Sequence, residues 1–259
     1  MKKIKVAIDI GNSNIVIGLY SENSWEKIYR LSSKKNFTYW TFQKKLKKII
    51  SLNEFNPSNV ESIIISSVVP SLTDIVKMSC ADMLCKHIYI VKPSKVESLK
   101  IMIDNKNEIG TDLLANAVEA SNIYRSNVIV VDFGTALTFT TVSKSREILG
   151  VNIVPGLHTA ISSLYKNTAK LPQIELSLPN KVIGKNTIHS IQSGIMYGYS
   201  GLVKEMINKI KVELNGETKV IATGGLSKFA DTLKGVFNDI LPTLTLDGLI
   251  KILDEMRNQ

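Results

Sequence analysis

Two apolar strands in this chain each end on a carboxylate and turn on small residues. Residues 5–20 read KVAIDIGNSNIVIGLY, and residues 128–142 read VIVVDFGTALTFTTV. Gly11 permits close backbone approach and φ values closed to other residues. The N–H groups and side chains of Asn12 and Ser13 are placed to meet phosphate oxygens. Asp9 at a strand end suits a hydrated Mg²⁺, which takes few carboxylates and completes its shell with phosphate and water. The same turn has a plainer use, an Asx-type hairpin in which Asp and Asn bond their own backbone. A second copy at Asp132 and a third Gly-rich turn, ATGGLS at 222–227, favour nucleotide binding in a cleft between two halves.

The elements that must hold these turns follow from periodicity. Strands are expected over 4–10, 14–20 and 25–31, and a helix over 38–52. ESIIISSVVPSL reads as a buried strand broken at Val69–Pro70, because Pro lacks the ladder donor. A helix over 71–85 and a short strand over 87–91 come next. EIGTDLLANAVEASNIYR turns at Gly110 and becomes a helix with Leu114, Ala117, Val118 and Ile123 on one face. The second half opens with the hairpin at Asp132. It continues as a strand, a Pro–Gly turn and a helix, then a loop and a long helix. The strand KVIATGG and a C-terminal helix, TLDGLIKILDEMR, complete it. The order in both halves is β-hairpin first, then alternating α and β. That order implies a duplicated α/β unit. The expected division is 1–117 and 118–259.

Composition narrows the function classes. Of 259 residues, 44% are hydrophobic and 21% charged, values ordinary for a globular protein. No apolar run approaches the roughly 18 residues of a membrane span. The N-terminal MKKIKVAIDIGN is too short in its apolar part for a signal peptide, and Asp9 interrupts it. No membrane association and a cytoplasmic location are expected. Cys80 and Cys85 complete no zinc pattern and read as reduced thiols; His87, His158 and His189 are scattered. The net charge of +9 is spread along the chain. Its one cluster, QKKLKKII at 43–50, alternates with Leu46, Ile49 and Ile50 at helical spacing, as the solvated face of an amphipathic helix would. No nucleic-acid motif accompanies it.

A series of motifs carries a resemblance. DIGNSNIVIGLY, SSVVPSLT, EIGTDLLANAVEA, VVDFGTALTF, VPGLHTAISSLYKNTAKLP, IGKNTIHSIQSGIMYGYSGLV and VIATGGLS come in order over nearly the whole chain. Together they resemble the type III pantothenate kinases, within the actin-like ATPase / acetate and sugar kinase superfamily. The resemblance implies duplicated actin-like (ribonuclease H-like) domains with the nucleotide cleft between them. It implies ATP-dependent phosphorylation of pantothenate on its primary hydroxyl, the first step to coenzyme A. It also implies Mg²⁺ with the ATP, a monovalent cation (K⁺ or NH₄⁺), and a homodimer.

Site residues are implied position by position. Asp9, Ile10, Gly11, Asn12, Ser13, Asn14, Ile15 and Val16 match the ATP phosphate loop, with Asp9 the Mg-associated acid. Thr135 matches a second phosphate contact, and Asp132 the monovalent-cation ligand. Asp112 matches the catalytic base; from its own position it reads equally well as a helix N-cap. Ile103, Gly110, Thr111, Asp112, Leu113 and Thr187 fall in the pantothenate pocket.

That pocket also holds the departures. Ile103 stands where the family has Tyr, Lys106 where it has Pro, and Leu113 where it has Arg. Thr140 and Val151 replace a frequent Asp and a usual Gly. An Arg fork binds both oxygens of a carboxylate. Its loss is expected to weaken acceptor binding by about ten- to a hundred-fold. Two alternatives therefore stand beside pantothenate: another small hydroxylated acceptor, or a weakly active or non-catalytic nucleotide-binding paralogue.

Overall fold

The computed structural model describes residues 2–33, 37–53, 56–84, 87–226, 229, 233 and 235–259. They form two units, Met1–Ala120 with Leu244–Gln259, and Ser121–Thr243.

The first unit is built on β1 (Ile4–Ile10), β2 (Asn14–Ser21), β3 (Ser24–Ser32), β4 (Val60–Ser67) and β5 (Ile88–Ile90). Their order in the sheet is β3-β2-β1-β4-β5. The hairpin strands pair antiparallel, and β4 and β5 join parallel to β1. Around the sheet run α1 (Tyr39–Asn53), α2 (Pro70–Met83) and α3 (Thr111–Ile123), with a two-residue β6 (Lys100–Ile101) before α3. One core cluster joins Val6, Ile8 and Ile10 of β1 to Ile63 and Ile65 of β4, Phe42 and Leu46 of α1, and Val76 and Cys80 of α2. The lysines of α1 lie opposite that buried stripe. Cys80 is buried, and Cys85 lies outside the described residues. Pro70 does not merely break β4. It is the first residue of α2, where its missing N–H costs nothing.

The second unit repeats the plan with β7 (Asn127–Phe133), β8 (Ala136–Val142), β9 (Glu147–Pro155), β10 (Thr218–Thr223) and β11 (Asp239–Ile240). Here the order is β9-β8-β7-β10-β11, again two antiparallel pairings and then two parallel ones. Helices α4 (Leu157–Lys166) and α5 (Thr187–Leu214) follow β9. Phe133, Leu137 and Phe139 pack with Leu157 of α4 and with Val203 and Ile207 of α5. The duplication expected from the two Asp hairpins is present strand for strand.

The last helix, α6 (Leu244–Asn258), corrects the expected division. The sequence assigned it to the second half, yet it belongs to the first unit, and the first boundary falls after Ala120. Its buried face of Leu246, Leu249, Ile250, Ile252 and Leu253 explains the placement. Trp25 Nε1 donates to Asp247 at 2.6 Å, and Thr245 Oγ1 donates to Asn116 Oδ1 at 2.7 Å. Lys5 pairs with Asp254, and Arg257 pairs with Glu61 at 2.8 Å. Gly248 lets α6 touch α3, because a Cβ there would lie 1.9 Å from the Ala115 carbonyl oxygen. Gly248→Ala is therefore expected to destabilise the protein by about 1–3 kcal/mol, the usual cost of overpacking. A thermal melt checks this, and an unchanged midpoint would show that α6 seats without that close approach.

Candidate active site

In the first unit the Asp9 turn is closed by Gly11 N–H, which donates to the Asn14 carbonyl at 2.9 Å. Asn12 and Ser13 are exposed at its tip, while Asp9 is half-buried. Parallel pairing sets Asp9 directly opposite Ser66 on β4. Ser66 is fully buried, and its hydroxyl donates to Asp9 Oδ1 at 3.0 Å. The same hydroxyl lies 3.0 Å from Thr111 Oγ1, which accepts from Ser67 N–H at 3.1 Å. Thr111 is the first residue of α3, so Asp9 and the start of this helix share one network.

Asp112 follows in that first turn. Its Oδ1 accepts from the N–H of the next residue, Leu113, at 2.9 Å; Asp112 is the second residue of α3, inside the helix, so this is not the bond to N2 or N3 that an N-cap makes. The carboxyl folds close over Gly110, where a Cβ would lie 2.4 Å from Oδ1. Burial pushes its pKa above the ordinary 3.8, against the opposing backbone bonds from Leu113 and from Asp112 itself. A carboxyl in the first turn of a helix is normally held low by the positive end of the helix. Leu113 is buried beside it and Ile103 is half-buried, whereas Lys106 is exposed.

In the second unit Asp132, one residue before the end of β7, stands opposite Thr138 of β8 on one side and Thr223 of β10 on the other. Gly134 N–H donates to the Ala136 carbonyl at 3.1 Å, closing the second turn much as Gly11 closes the first. Two neighbours hold this turn from outside. The Thr135 carbonyl accepts from Gly156 N–H at 3.0 Å and from Thr159 Oγ1 at 2.6 Å. Gly224, at φ +95°, lies under Asp132, and a Cβ there would be 2.3 Å from Oδ1. The Gly-rich turn therefore has a steric reason to be glycine as well as a conformational one. Thr135 is exposed. Thr187 is the exposed first residue of α5, after an Asn186 cap whose side chain accepts from His189 N–H. Among the described residues no group of three or more His, Cys, Asp or Glu side chains could hold a metal.

The structure thus joins Asp9 and Thr111 through Ser66, with Asp112 next in α3, and separately joins Asp132 to the 134–135 and Gly224 turns. Ser66, Thr159 and Gly156 had no individual role in the sequence reading. SSVVPSLT and VPGLHTAISSLY contain them, but only the strand register shows which hydroxyls face the acids.

A family model described as type III pantothenate kinase matches residues 5–209. The chain belongs to the type III pantothenate kinase family. A Campylobacter jejuni protein described as a Baf family transcriptional activator is similar in structure, with TM-score 0.54, 20% identity and 98% of each chain covered. Spiroplasma citri MreB 5, bound to AMPPNP, is similar at TM-score 0.54 and 11% identity, over 99% of this chain and 97% of that one. An inorganic polyphosphate/ATP-glucomannokinase from Arthrobacter is similar at TM-score 0.50 and 14% identity, over 99% and 100%. At these identities the likeness shows the fold, that of actin-like ATPases and sugar kinases. Family and fold together make this a kinase-like chain with an ATP-dependent ancestry.

The raised pKa of Asp112 has a stability consequence. A carboxyl whose folded pKa is raised contributes stability that is full below its unfolded value, near 3.8, and lost as pH rises through the folded value. At neutral pH its ionised form is a cost. Asp112→Asn is expected to raise the melting temperature at neutral pH, and the gap from wild type is expected to shrink in acid. Melts across that range check it; a lower midpoint for the variant at neutral pH would contradict it.

Proposed function

We propose that this chain transfers the γ-phosphoryl group of ATP to the primary hydroxyl of pantothenate. The observation that carries the proposal is the network of Asp9, Ser66 and Thr111, which ties a phosphate-type turn to the helix start that bears Asp112. A primary alcohol is a poor nucleophile at neutral pH, so a positioned carboxylate must take its proton. Asp112, made more basic by burial, fills that role. The exposed Asn12 and Ser13 amides and the Thr135 turn bind phosphate oxygens. The remaining work is alignment and charge neutralisation around the transferring group.

The donor sets fit the implied ions. Asp9 offers one carboxylate beside a phosphate-binding turn, as Mg²⁺ prefers. Mg²⁺ bound there would neutralise phosphate charge. Thr138, opposite Asp132, is buried with no hydrogen-bond partner on its hydroxyl, and an acid beside such an oxygen suits a monovalent cation. A homodimer is part of the same proposal. The solvent face of α5 supports it, since Gly194, Gly198 and Gly201 are exposed and a Cβ on any of them would meet nothing. Each such glycine costs a helix roughly 1 kcal/mol relative to Ala, and no contact among the described residues explains it. No described helix is long and apolar enough to cross a membrane. We place the reaction in the cytoplasm, as the first step toward coenzyme A.

One observation favours a second reading, a kinase for a different hydroxylated acceptor. Leu113 is buried next to Asp112, where the family resemblance implies a carboxylate-binding Arg. Incubation with ATP, Mg²⁺ and K⁺ tests the main reading, with mass spectrometry for 4′-phosphopantothenate. Product is expected from wild type and none from Asp112→Asn. No product from a chain that still binds ATP would favour the second reading. Under the main reading Leu113→Arg lowers the KM for pantothenate by about tenfold, the worth of one charge-assisted bond. An unchanged KM would mean that the pocket is built for another acceptor.

A further inference from the structure

We propose that Ser66 is a positioning residue, which locks the phosphate-loop acid Asp9 and the start of α3 into a single one-way chain of hydrogen bonds. The inference rests on the kinase reading above and adds to it a role for Ser66 that the reading does not assign.

Proton counting gives the chain its direction. Ser66 has one hydroxyl proton, and it goes to the Asp9 carboxylate at 3.0 Å. Ser66 can then only accept from Thr111, 3.0 Å away. The single proton of Thr111 is thereby committed; its other acceptor, the Ser67 carbonyl, is farther at 3.3 Å. Thr111 in turn accepts from Ser67 N–H at 3.1 Å. The order is Ser67 N–H to Thr111 to Ser66 to Asp9, each bond polarising the next toward the carboxylate. Ser66 is fully buried, so water does not compete for its hydroxyl. Charge on Asp9 is felt at Thr111, whose chain neighbour is Asp112.

The duplicated sheet supplies an internal control. Thr223 stands opposite Asp132 as Ser66 stands opposite Asp9. The Thr223 hydroxyl instead donates to the Leu241 carbonyl at 2.7 Å. The fold tolerates either use of a hydroxyl at this register. The link from acid to helix is thus a property of the Asp9 site and is not required to build the sheet.

The test compares Ser66→Ala, Thr111→Val and the double variant. Thr111→Val keeps the side-chain shape at a half-buried position, so it is readable even if Ser66→Ala folds poorly. Each single variant is expected to lower kcat about ten- to a hundred-fold, and in Ser66→Ala, which is not a pocket residue, the acceptor KM stays within about threefold. Because both break one chain, the double variant falls little below the worse single. A wild-type kcat in Ser66→Ala, or losses that multiply in the double, would overturn the proposal. If wild type makes no 4′-phosphopantothenate, the substrate reading fails on its own. The positioning role is then read by calorimetry with AMPPNP. Ser66→Ala is expected to weaken binding with Mg²⁺ about tenfold and leave binding in EDTA unchanged. Equal affinity with Mg²⁺, or equal weakening in both buffers, would overturn it.

Discussion

The parallel register of β1 on β4 is the constraint from which the candidate site follows. It places Asp9 opposite Ser66. Side chains directly opposite in a ladder share a face, so the carboxylate and the hydroxyl must meet. A slip of one residue would turn Asp9 to the face away from Ser66 and set Ile8 or Ile10 opposite it. The buried Ile63 and Ile65 of β4, packed with Val6, Ile8 and Ile10, hold that register. Ordinary apolar packing thus fixes the position of a polar network.

The same plan in the second unit yields a different local chemistry. Asp132 also stands near the end of a central strand, beside a hairpin partner and a parallel neighbour. Its surroundings are glycine and an unpartnered threonine hydroxyl, where those of Asp9 are hydroxyls linked to a helix. One scaffold therefore presents two acids in two settings. The first couples its acid to the start of α3. The second suits an ion or a close backbone approach. The raised pKa of Asp112 adds a stability cost at neutral pH, as is common where function demands a desolvated charge.

Much of the fold was legible because its strands are short, apolar and punctuated. Both Asp hairpins, the long α5 and the duplicated order can be read from periodicity and turn residues. The membership of α6 cannot. Its partners Trp25, Asn116 and Glu61 lie more than a hundred residues away, and nothing local announces them. The site divides in the same way. Asp9, Asp112 and Asp132 stand out by type and position. Ser66 is one of two adjacent serines in a strand, and only the register shows that it, rather than Ser67, faces Asp9. Sequence left the cap and base readings of Asp112 equally open. Geometry sets Asp112 second in α3, bonded to the N–H of its neighbour Leu113 and not at the N-cap position, and burial raises its pKa.

The central claim is that the Asp9 turn receives phosphate while Asp112 meets the acceptor hydroxyl. A crystal structure with Mg²⁺, AMPPNP and pantothenate tests it most directly. The account predicts phosphate oxygens on the amides of Asn12 and Ser13 and the primary hydroxyl within hydrogen-bond reach of Asp112. A triphosphate bound away from that turn, or a hydroxyl out of reach of Asp112, would contradict it.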